Sequence, residues 1–243
     1  AGRSRARVGA TSRGSGGEAQ REGLQGRGAA GARGEFKQAE FTYRAQVDEL
    51  IRGSGREGGG LHGIVHSAGV LRDWFVVKKT AEELAQVLAP KVAGLVNLDE
   101  ASRGCELESV VLFSSTSAAL GNVGQADYAA GNAFMDTYAQ YRNALVAGEQ
   151  RRGRTLSVNW PLWAEGGMQV DEATLKQLRR ALGMSAMGRE SGMQALYRAW
   201  ASGEDQMVVV EGDAKRLRRL AGSLHIPVAP APVIESVSSV ATT

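Results

Sequence analysis

Polar side chains with hydroxyl, phenol and amide groups occur in three short segments of the chain and in the helix that follows the second. The segments are residues 66–69 (HSAG), 113–115 (FSS) and 159–163 (NWPLW). Tyr128 and Asn132 lie four positions apart in the predicted helix, so they share one helix face. Hydroxyl and amide groups donate hydrogen bonds, and a phenol can also donate a proton. The chemistry that these groups favour is polarisation and protonation of an oxygen.

Each segment comes at the carboxyl end of a predicted buried strand, and the strands alternate with helices. The predicted strands are 61–68, 110–114 and 155–160, and the predicted helices are 80–103, broken only at Pro90, and 125–145. Before them, residues 36–41 predict a strand, and Val47, Leu50 and Ile51 a short helix that the glycines of 53–60 end. After them, we predict helices at 172–182 and 190–202, a strand at 206–210 and a short helix from Asp213. This order predicts an α/β fold with a doubly wound parallel sheet, which binds ligands at the carboxyl ends of its strands.

Composition divides the chain into three parts. Residues 1–35 contain ten Gly and seven Arg, which predicts an irregular segment. Residues 36–222 are expected to form one domain, and 223–243, rich in Pro, Val, Ser and Ala, a linker or tail. The chain begins at Ala1 rather than Met, so we expect an excised or truncated piece.

Charge and cysteine content exclude several classes of protein. Residues 1–35 hold seven Arg and three Glu, which leaves 22 basic and 23 acidic residues over 36–243, so we expect no nucleic-acid partner. The single cysteine, Cys105, excludes an internal disulfide and fits a cytoplasmic protein. No apolar run approaches the length of a membrane span, and the three histidines lack the spacing of metal ligands. We therefore expect neither a membrane nor a metal site.

The residues resemble the ketoreductase domains of modular polyketide synthases, within the short-chain dehydrogenase/reductase superfamily. The resemblance runs from about Phe36 to Leu220, and its motifs are 66–69, 89–92 (APKV), 113–115 and 128–132 (YAAGN). The wider superfamily usually has a Lys four residues after the catalytic Tyr, whereas these ketoreductases have Asn there and take the Lys from the preceding long helix. This chain has the ketoreductase pattern, with Asn132 after Tyr128 and Lys91 in the predicted helix 80–103.

The resemblance implies NADPH-dependent reduction of a β-ketoacyl chain on an acyl carrier protein, with neighbouring synthase modules as further partners. Tyr128 would be the general acid, and because a free phenol titrates at about 10, the Lys91 ammonium is expected to lower its pKa. Ser115 would donate a hydrogen bond to the substrate carbonyl, and Asn132 would hold Lys91 or a water in a proton relay. The alternative for Tyr128 is an ordinary core residue, and for Lys91 a solvated charge; Ser114 and Ser117 are interpreted as strand-end caps.

The resemblance also implies contacts with the cofactor and the substrate. The expected cofactor-binding residues are Arg3, Glu40, Phe41, Ser67, Ala68, Gly69, Lys91, Tyr128, Pro161 and Leu162. The expected substrate contacts are Asp73, Trp163 and Met168, with ordinary packing an equal alternative for Trp163. Asp73, and Leu120 at a position where the opposite class has Trp, imply a D-configured β-hydroxyacyl product; the alternative for Asp73 is a surface residue near a loop.

The beginning of the chain departs from the family pattern. Residues 1–4 (AGRS) resemble the end of the family's second strand, which would put the first strand and the glycine-rich loop upstream of residue 1. Residues 26–31 (GRGAAG) spell the dinucleotide fingerprint, but no apolar strand precedes them, so we reject the match. We therefore expect a Rossmann-like sheet that lacks its first strand and glycine-rich loop. We also hypothesise that residues 5–35 come from a GC-rich gene read in the wrong frame.

Two other functions stay open at this point. One is a non-catalytic fragment of such a domain that cannot bind the cofactor. The other is an Arg/Gly-rich segment attached to an unrelated α/β domain, which predicts salt-sensitive binding to RNA.

Overall fold

A computed structural model of the chain describes residues 39–57, 60–165 and 170–223. Several sequence predictions lie outside these residues: Arg3, Met168, the segment 1–35 with its glycine tract at 26–31, and the tail from residue 224. The strands are β1 Gly63–His66, β2 Ser109–Ser115, β3 Arg154–Trp160 and β4 Gln206–Val208. The helices are α1 Arg44–Glu57, α2 Ala81–Lys91, α3 Ala93–Ala101, α4 Thr116–Leu120, α5 Ala126–Ala147, α6 Glu172–Leu182, α7 Arg189–Ala201 and α8 Ala214–Ser223.

The four strands form one parallel sheet in the order β1-β2-β3-β4. Val65 of β1 pairs with Val111 of β2, which in turn pairs with Leu156 of β3. Since the strands run in the same direction, their carboxyl ends lie along one edge of the sheet. Within the described ranges, no strand pairs with the other side of β1.

Apolar side chains cover both faces of this sheet. On one face, Val110 and Leu112 pack in a cluster with residues of α1, α3 and α5. On the other, Val111 joins Leu156 and Val158 against α7. The neighbours 110, 111 and 112 alternate between the two clusters because successive side chains of a strand point to opposite faces. The predicted doubly wound, Rossmann-like α/β fold is therefore confirmed.

The predicted long helix 80–103 is two helices, and the break determines where Lys91 lies. Thr80 caps α2 in a capping box with Glu83. Pro90 lacks the N–H of a regular helix and crowds the preceding turn, and the helical geometry ends at Val92 (φ −95°, ψ −75°). Lys91 is consequently the last residue of α2, where the negative end of the helix dipole favours an ammonium.

Two predictions about residues 36–60 were wrong where the structure describes them. Residues 39–43 form a turn rather than a strand, because Asn97 of α3 donates hydrogen bonds to the carbonyls of Phe41 (2.8 Å) and Thr42 (3.2 Å). The following helix, α1, also continues past Gly53 to Glu57. Val47, Leu50 and Ile51 are buried in the core, and this packing outweighs the weak helix propensity of glycine.

The far end of α5 is fixed by a buried arginine. Arg142 Nε donates to Asp99 of α3 at 2.7 Å, and its Nη1 donates to Thr155 Oγ1 of β3 at 2.9 Å. Arg151 makes a second ion pair with Asp99. These contacts join α3, α5 and β3, which are the elements that hold the polar side chains at the opposite end. None of the helices in the described ranges is long and apolar enough to cross a membrane.

Candidate active site

Tyr128 lies in the first turn of α5, beside the carboxyl end of β2. Tyr128 is 8% exposed. Burial raises the pKa of the phenol, the nearby polar side chains of Asn132 and Ser115 lower it, and the charge of Asp73 raises it further. The expected lowering of this pKa is therefore wrong for this structure, because removal from water outweighs the effect of the neighbouring polar groups. A phenol with a raised pKa keeps its proton at neutral pH.

Lys91 is buried at the end of α2, facing the ring of Tyr128. Its Nζ is 5.2 Å from the ring centroid, and 2% of the residue is exposed. Burial lowers the pKa of Lys91 to about 8, against the charge of Asp136, which raises it. A Cβ at Gly131 would come within 3.1 Å of Lys91 Cδ, and one at Gly69 within 3.4 Å of Nζ. The two glycines thus leave room for the lysine stem and for the ammonium.

Ser115 is the last residue of β2 and the N-cap of α4. Its Oγ accepts a hydrogen bond from the Ser117 N–H at 3.2 Å. The preceding Ser114 points to the other face, where it is buried and its Oγ donates to the Asn132 carbonyl at 3.3 Å. Ser114 therefore lies on the side of β2 that packs against α5, whereas Ser115, at the end of the strand, is the serine that lowers the pKa of Tyr128.

Asn132 is fully buried one turn after Tyr128. Its Nδ2 donates to the Tyr128 carbonyl at 2.8 Å, and its Oδ1 has no hydrogen-bond partner in the described part of the chain. The amide thus stabilises the helix turn that carries Tyr128. The expected role in a proton relay with Lys91 or a water stays a prediction, with Oδ1 as the atom that remains available for it.

The predicted cofactor-binding residues fall into two groups. Ser67, Ala68 and Gly69 follow β1, and Pro161 and Leu162 follow β3, at the same sheet edge as Lys91 and Tyr128. Ala68 and Pro161 are buried, whereas Ser67 and Gly69 are exposed. Gly69 lies against the end of the Lys91 side chain, and the contact of these residues with a cofactor stays a prediction.

Glu40 and Phe41 belong to the second group, which the structure places in the packing of the domain. The Phe41 ring meets the ring of His66 edge to face, with centroids 5.9 Å apart, and is 4% exposed. The Glu40 N–H donates to Gln46 Oε1 at 2.8 Å, and the Glu40 carboxylate accepts from Thr42. An adenine contact at these two residues remains a prediction.

The two predicted substrate residues that the structure describes, Asp73 and Trp163, have different surroundings. Asp73 is exposed, and its Oδ2 accepts a hydrogen bond from Gln125 Nε2 at 2.7 Å, immediately before α5. The Trp163 ring instead packs against Trp160, with centroids 5.0 Å apart, and against Gly192, where a Cβ would come within 2.2 Å. Asp73 therefore lies at the opening of the site, whereas the contacts of Trp163 favour its packing alternative.

Four charged or titratable side chains near the site were not among the site residues predicted from the sequence. Lys79 and Asp127 form a buried ion pair that ties the loop carrying Asp73 to the start of α5. His66 is buried at the end of β1, and burial, with a further contribution from the Lys91 charge, lowers its pKa to about 3. Asp136 could have been found by spacing, since it lies eight residues after Tyr128 on the same helix face. No cluster of metal-ligating side chains occurs among the residues that the structure describes.

Comparisons with known proteins show the family to which the chain belongs. The profile of the family described as KR domain matches residues 1–165. Polyketide synthase PksN of Bacillus subtilis is 50% identical over 184 residues, which are 76% of this chain and 3% of that protein. Polyketide synthase ThaG of Burkholderia thailandensis is 43% identical over 182 residues, 75% of this chain and 3% of that protein.

Solved structures with the same fold include two ketoreductases. A ketoreductase domain from the bacillaene assembly line has a TM-score of 0.83 and 39% identity, covering 89% of this chain and 52% of its own. The ketoreductase from the first module of phoslactomycin biosynthesis in Streptomyces has a TM-score of 0.75 and 34% identity, covering 92% of this chain and 50% of its own. The chain thus spans about half the length of these solved chains.

Proposed function

The chain belongs to the KR domain family of polyketide synthases, and from this premise we propose that it carries the catalytic side chains of a β-ketoacyl reductase. The reaction is the NADPH-dependent reduction of a β-ketoacyl chain on an acyl carrier protein to the β-hydroxyacyl chain. The observation that carries the proposal is the meeting of Tyr128, Ser115 and Lys91 at the carboxyl edge of the sheet. The carrier protein and neighbouring synthase modules are the proposed partners.

The mechanism follows from the negative charge that develops on the carbonyl oxygen of the substrate. Reduction of a ketone turns its carbonyl oxygen into an alkoxide, so the site must supply hydrogen bonds and a proton at that oxygen. Ser115 lies close enough to the Tyr128 phenol to lower its pKa, so the two hydroxyl groups can both face one carbonyl oxygen. Ser115 orients the carbonyl, and Tyr128 transfers its phenolic proton to the oxygen. A bound nicotinamide supplies the hydride.

Lys91 acts on the phenolate that Tyr128 becomes. Its ammonium lies close to the phenol ring in a buried site, where an opposite charge is stabilised more strongly than in water. Asn132 Oδ1, which has no partner among the described residues, can accept a hydrogen bond from the ammonium or from a water that returns the proton. NADPH is the proposed form of the nicotinamide cofactor because Arg3 matches the family's 2′-phosphate contact.

Binding of NADPH distinguishes this function from that of a non-catalytic fragment. In the described ranges, no glycine-rich turn joins a strand to a helix N-terminus, which is the usual pyrophosphate site. We expect the chain alone to bind NADPH weakly or not at all in a fluorescence titration. A chimeric reductase, in which the chain is joined to the segments of the bacillaene ketoreductase that it does not span, should bind at least about tenfold more tightly. Tight stoichiometric binding by the chain alone would show that the fragment alternative is wrong.

The configuration of the product tests the role of Asp73. Its carboxylate lies at the opening of the site, held by Gln125, where it can guide the acyl chain past Tyr128. We expect the chimeric reductase to make the D-configured β-hydroxyacyl thioester. Chiral chromatography of the product measures this, and a predominantly L-configured alcohol would refute the assignment.

A further inference from the structure

A buried polar cluster lies behind Tyr128 and Lys91, and its centre is Asp136. Tyr128, Asn132 and Asp136 follow one another at intervals of four residues along one face of α5. Asp136 is 5% exposed, and two of its neighbours, Ser157 and Asn159 of β3, are fully buried. The mechanism derived above does not use this acid.

Burial raises the pKa of Asp136, whereas its hydrogen bonds with Ser157 and Asn159 and the charge of Lys91 favour the ionised carboxylate. Ser157 Oγ donates to Asp136 Oδ1 at 2.6 Å, and Asn159 Nδ2 donates to Oδ2 at 2.7 Å. Both oxygens therefore accept, whereas a protonated carboxyl group would present one of them as a donor. Charge-assisted hydrogen bonds of this kind offset part of the cost of burying the charge.

The same cluster reaches the strand end that carries Ser115. Asn159 Nδ2 lies 3.0 Å from both Ser114 Oγ and the Ser115 carbonyl oxygen. Asn159 also accepts a hydrogen bond from Gln206 of β4 through its Oδ1. The carboxylate is thus held in a fixed place by β2, β3 and β4.

Resting on the proposed function, we propose that Asp136 is a positioning residue whose buried carboxylate keeps the neighbouring Lys91 ammonium charged in the reductase site. It makes no contact with the reacting atoms. Its action passes through Lys91, which in turn stabilises the phenolate of Tyr128.

The other groups that face Lys91 cannot take this role. His66 of β1 is neutral above the acid range, because its pKa is lowered to about 3. Tyr128 of α5 is uncharged at neutral pH, since burial raises its pKa. Lys91 packs along the helix that carries Asp136, since a Cβ at Gly131 would come within 3.1 Å of Lys91 Cδ, and Asp136 is the one group of the described chain whose charge raises the pKa of Lys91 against the effect of burial. Removing that charge must therefore lower the pH at which Lys91 loses its proton.

The experiment follows the titration of Lys91 in the chain without cofactor. The chain has six lysines, so carbon-13 labelling at lysine Cε gives few NMR signals, and Lys91→Met assigns the one of interest. In Asp136→Asn, the Lys91 midpoint should move to lower pH. Each unit by which the midpoint falls below the working pH lowers the protonated fraction about tenfold. An unchanged midpoint in a folded Asp136→Asn variant would overturn the proposal.

Two further variants separate charge from structure. Asp48→Asn removes the same charge from α1, outside the cluster, and should leave the Lys91 midpoint in place. The exchange Asp136→Asn with Asn159→Asp keeps one carboxylate and one amide in the cluster and should return the midpoint towards that of the unmodified chain. A midpoint that stays displaced in the exchange variant would mean that packing, and not charge, is responsible.

One measurement needs no variant. The side-chain carboxyl carbon of Asp136 should have the chemical shift of a carboxylate from about pH 6 to about pH 9. A protonated carboxyl at about pH 7 would overturn the proposal even if Asp136→Asn fails to fold. Because none of these readings requires NADPH or turnover, they fail or succeed independently of the proposed reductase function.

Discussion

Tyr128→Phe is expected to lower kcat of the chimeric reductase by roughly 10²–10⁴-fold, the usual contribution of a general acid. The substitution removes one oxygen atom and keeps the ring, which is buried at the start of α5. Ser115 Oγ keeps its hydrogen bond from the Ser117 N–H, so the carbonyl-orienting hydroxyl stays in place. The loss should therefore fall on the proton transfer, and NADPH consumption under saturating β-ketoacyl thioester measures it.

Tyr141→Phe is the matched control for this variant. Tyr141 lies on the same helix, is 49% exposed, and takes no part in the site. Its rate should equal that of the unmodified chimera. If Tyr128→Phe retained a rate within about threefold of the control, Tyr128 could not be the proton donor.

Lys91→Met is expected to reduce the rate by orders of magnitude and to increase the stability of the fold. The lysine stem packs against Gly131, with Leu88 close to the same glycine, and the methionine side chain can occupy this position. The lowering of the Lys91 pKa from 10.5 to about 8 corresponds to a destabilisation of the charged folded state on the order of 3 kcal/mol. Replacing the amine with methionine removes that penalty, so Lys91→Met should be more stable than the unmodified chain. If Lys91 only stabilised the fold, Lys91→Met would be less stable instead.

The gain in stability from Lys91→Met should become smaller as the pH rises. Below about pH 8 the ammonium is present in both the folded and the unfolded chain, and the full penalty acts on the folded state. Between about 8 and 10.5 only the unfolded chain keeps the proton, so the stability of the unmodified chain rises with pH. The advantage of Lys91→Met should therefore be largest below about pH 8 and should disappear through 10.5.

Urea unfolding of the two chains across this pH range measures the difference. Lys176→Met makes the same chemical change at an exposed site of α6 and should alter the free energy of unfolding by less than about 0.5 kcal/mol. A Lys91→Met variant that loses stability at neutral pH would contradict the account of Lys91 as a functional charge held at a cost to the fold.

The sheet and the residues at its carboxyl edge could be predicted from the sequence. Apolar runs of strand length alternate with amphipathic helices in the sequence. The structure contains the three predicted strands as β1, β2 and β3, with small shifts at their ends. Tyr128 and Asn132 share a face because helix geometry alone requires it. Pro90 marked the break in the long helix, although the pattern did not show that the break comes at Val92 and leaves Lys91 at a helix end.

Properties that depend on tertiary contacts could not be predicted from the sequence. The turn at Phe41 forms because Asn97, 56 residues later, donates a hydrogen bond to the Phe41 carbonyl. Trp163 packs on a glycine of α7 that no local pattern connects to it. The pKa of Tyr128 depends on how completely the fold removes the phenol from water, and burial proved stronger than the effect of the neighbouring polar groups. Asp136 was overlooked because a single acid on a helix predicts a solvated face unless its partners on β3 are known.

Transfer of deuterium tests the central claim most directly. The chimeric reductase is mixed with NADPH deuterated at the transferred position and with a β-ketoacyl thioester, and the product is examined by mass spectrometry. We expect a β-hydroxyacyl thioester with one deuterium at the former carbonyl carbon, formed by the chimera and at least about a hundredfold more slowly by its Tyr128→Phe variant. A chimera that binds NADPH but yields no deuterated alcohol, or a variant that yields it equally fast, would contradict the assignment of this site as a ketoreductase.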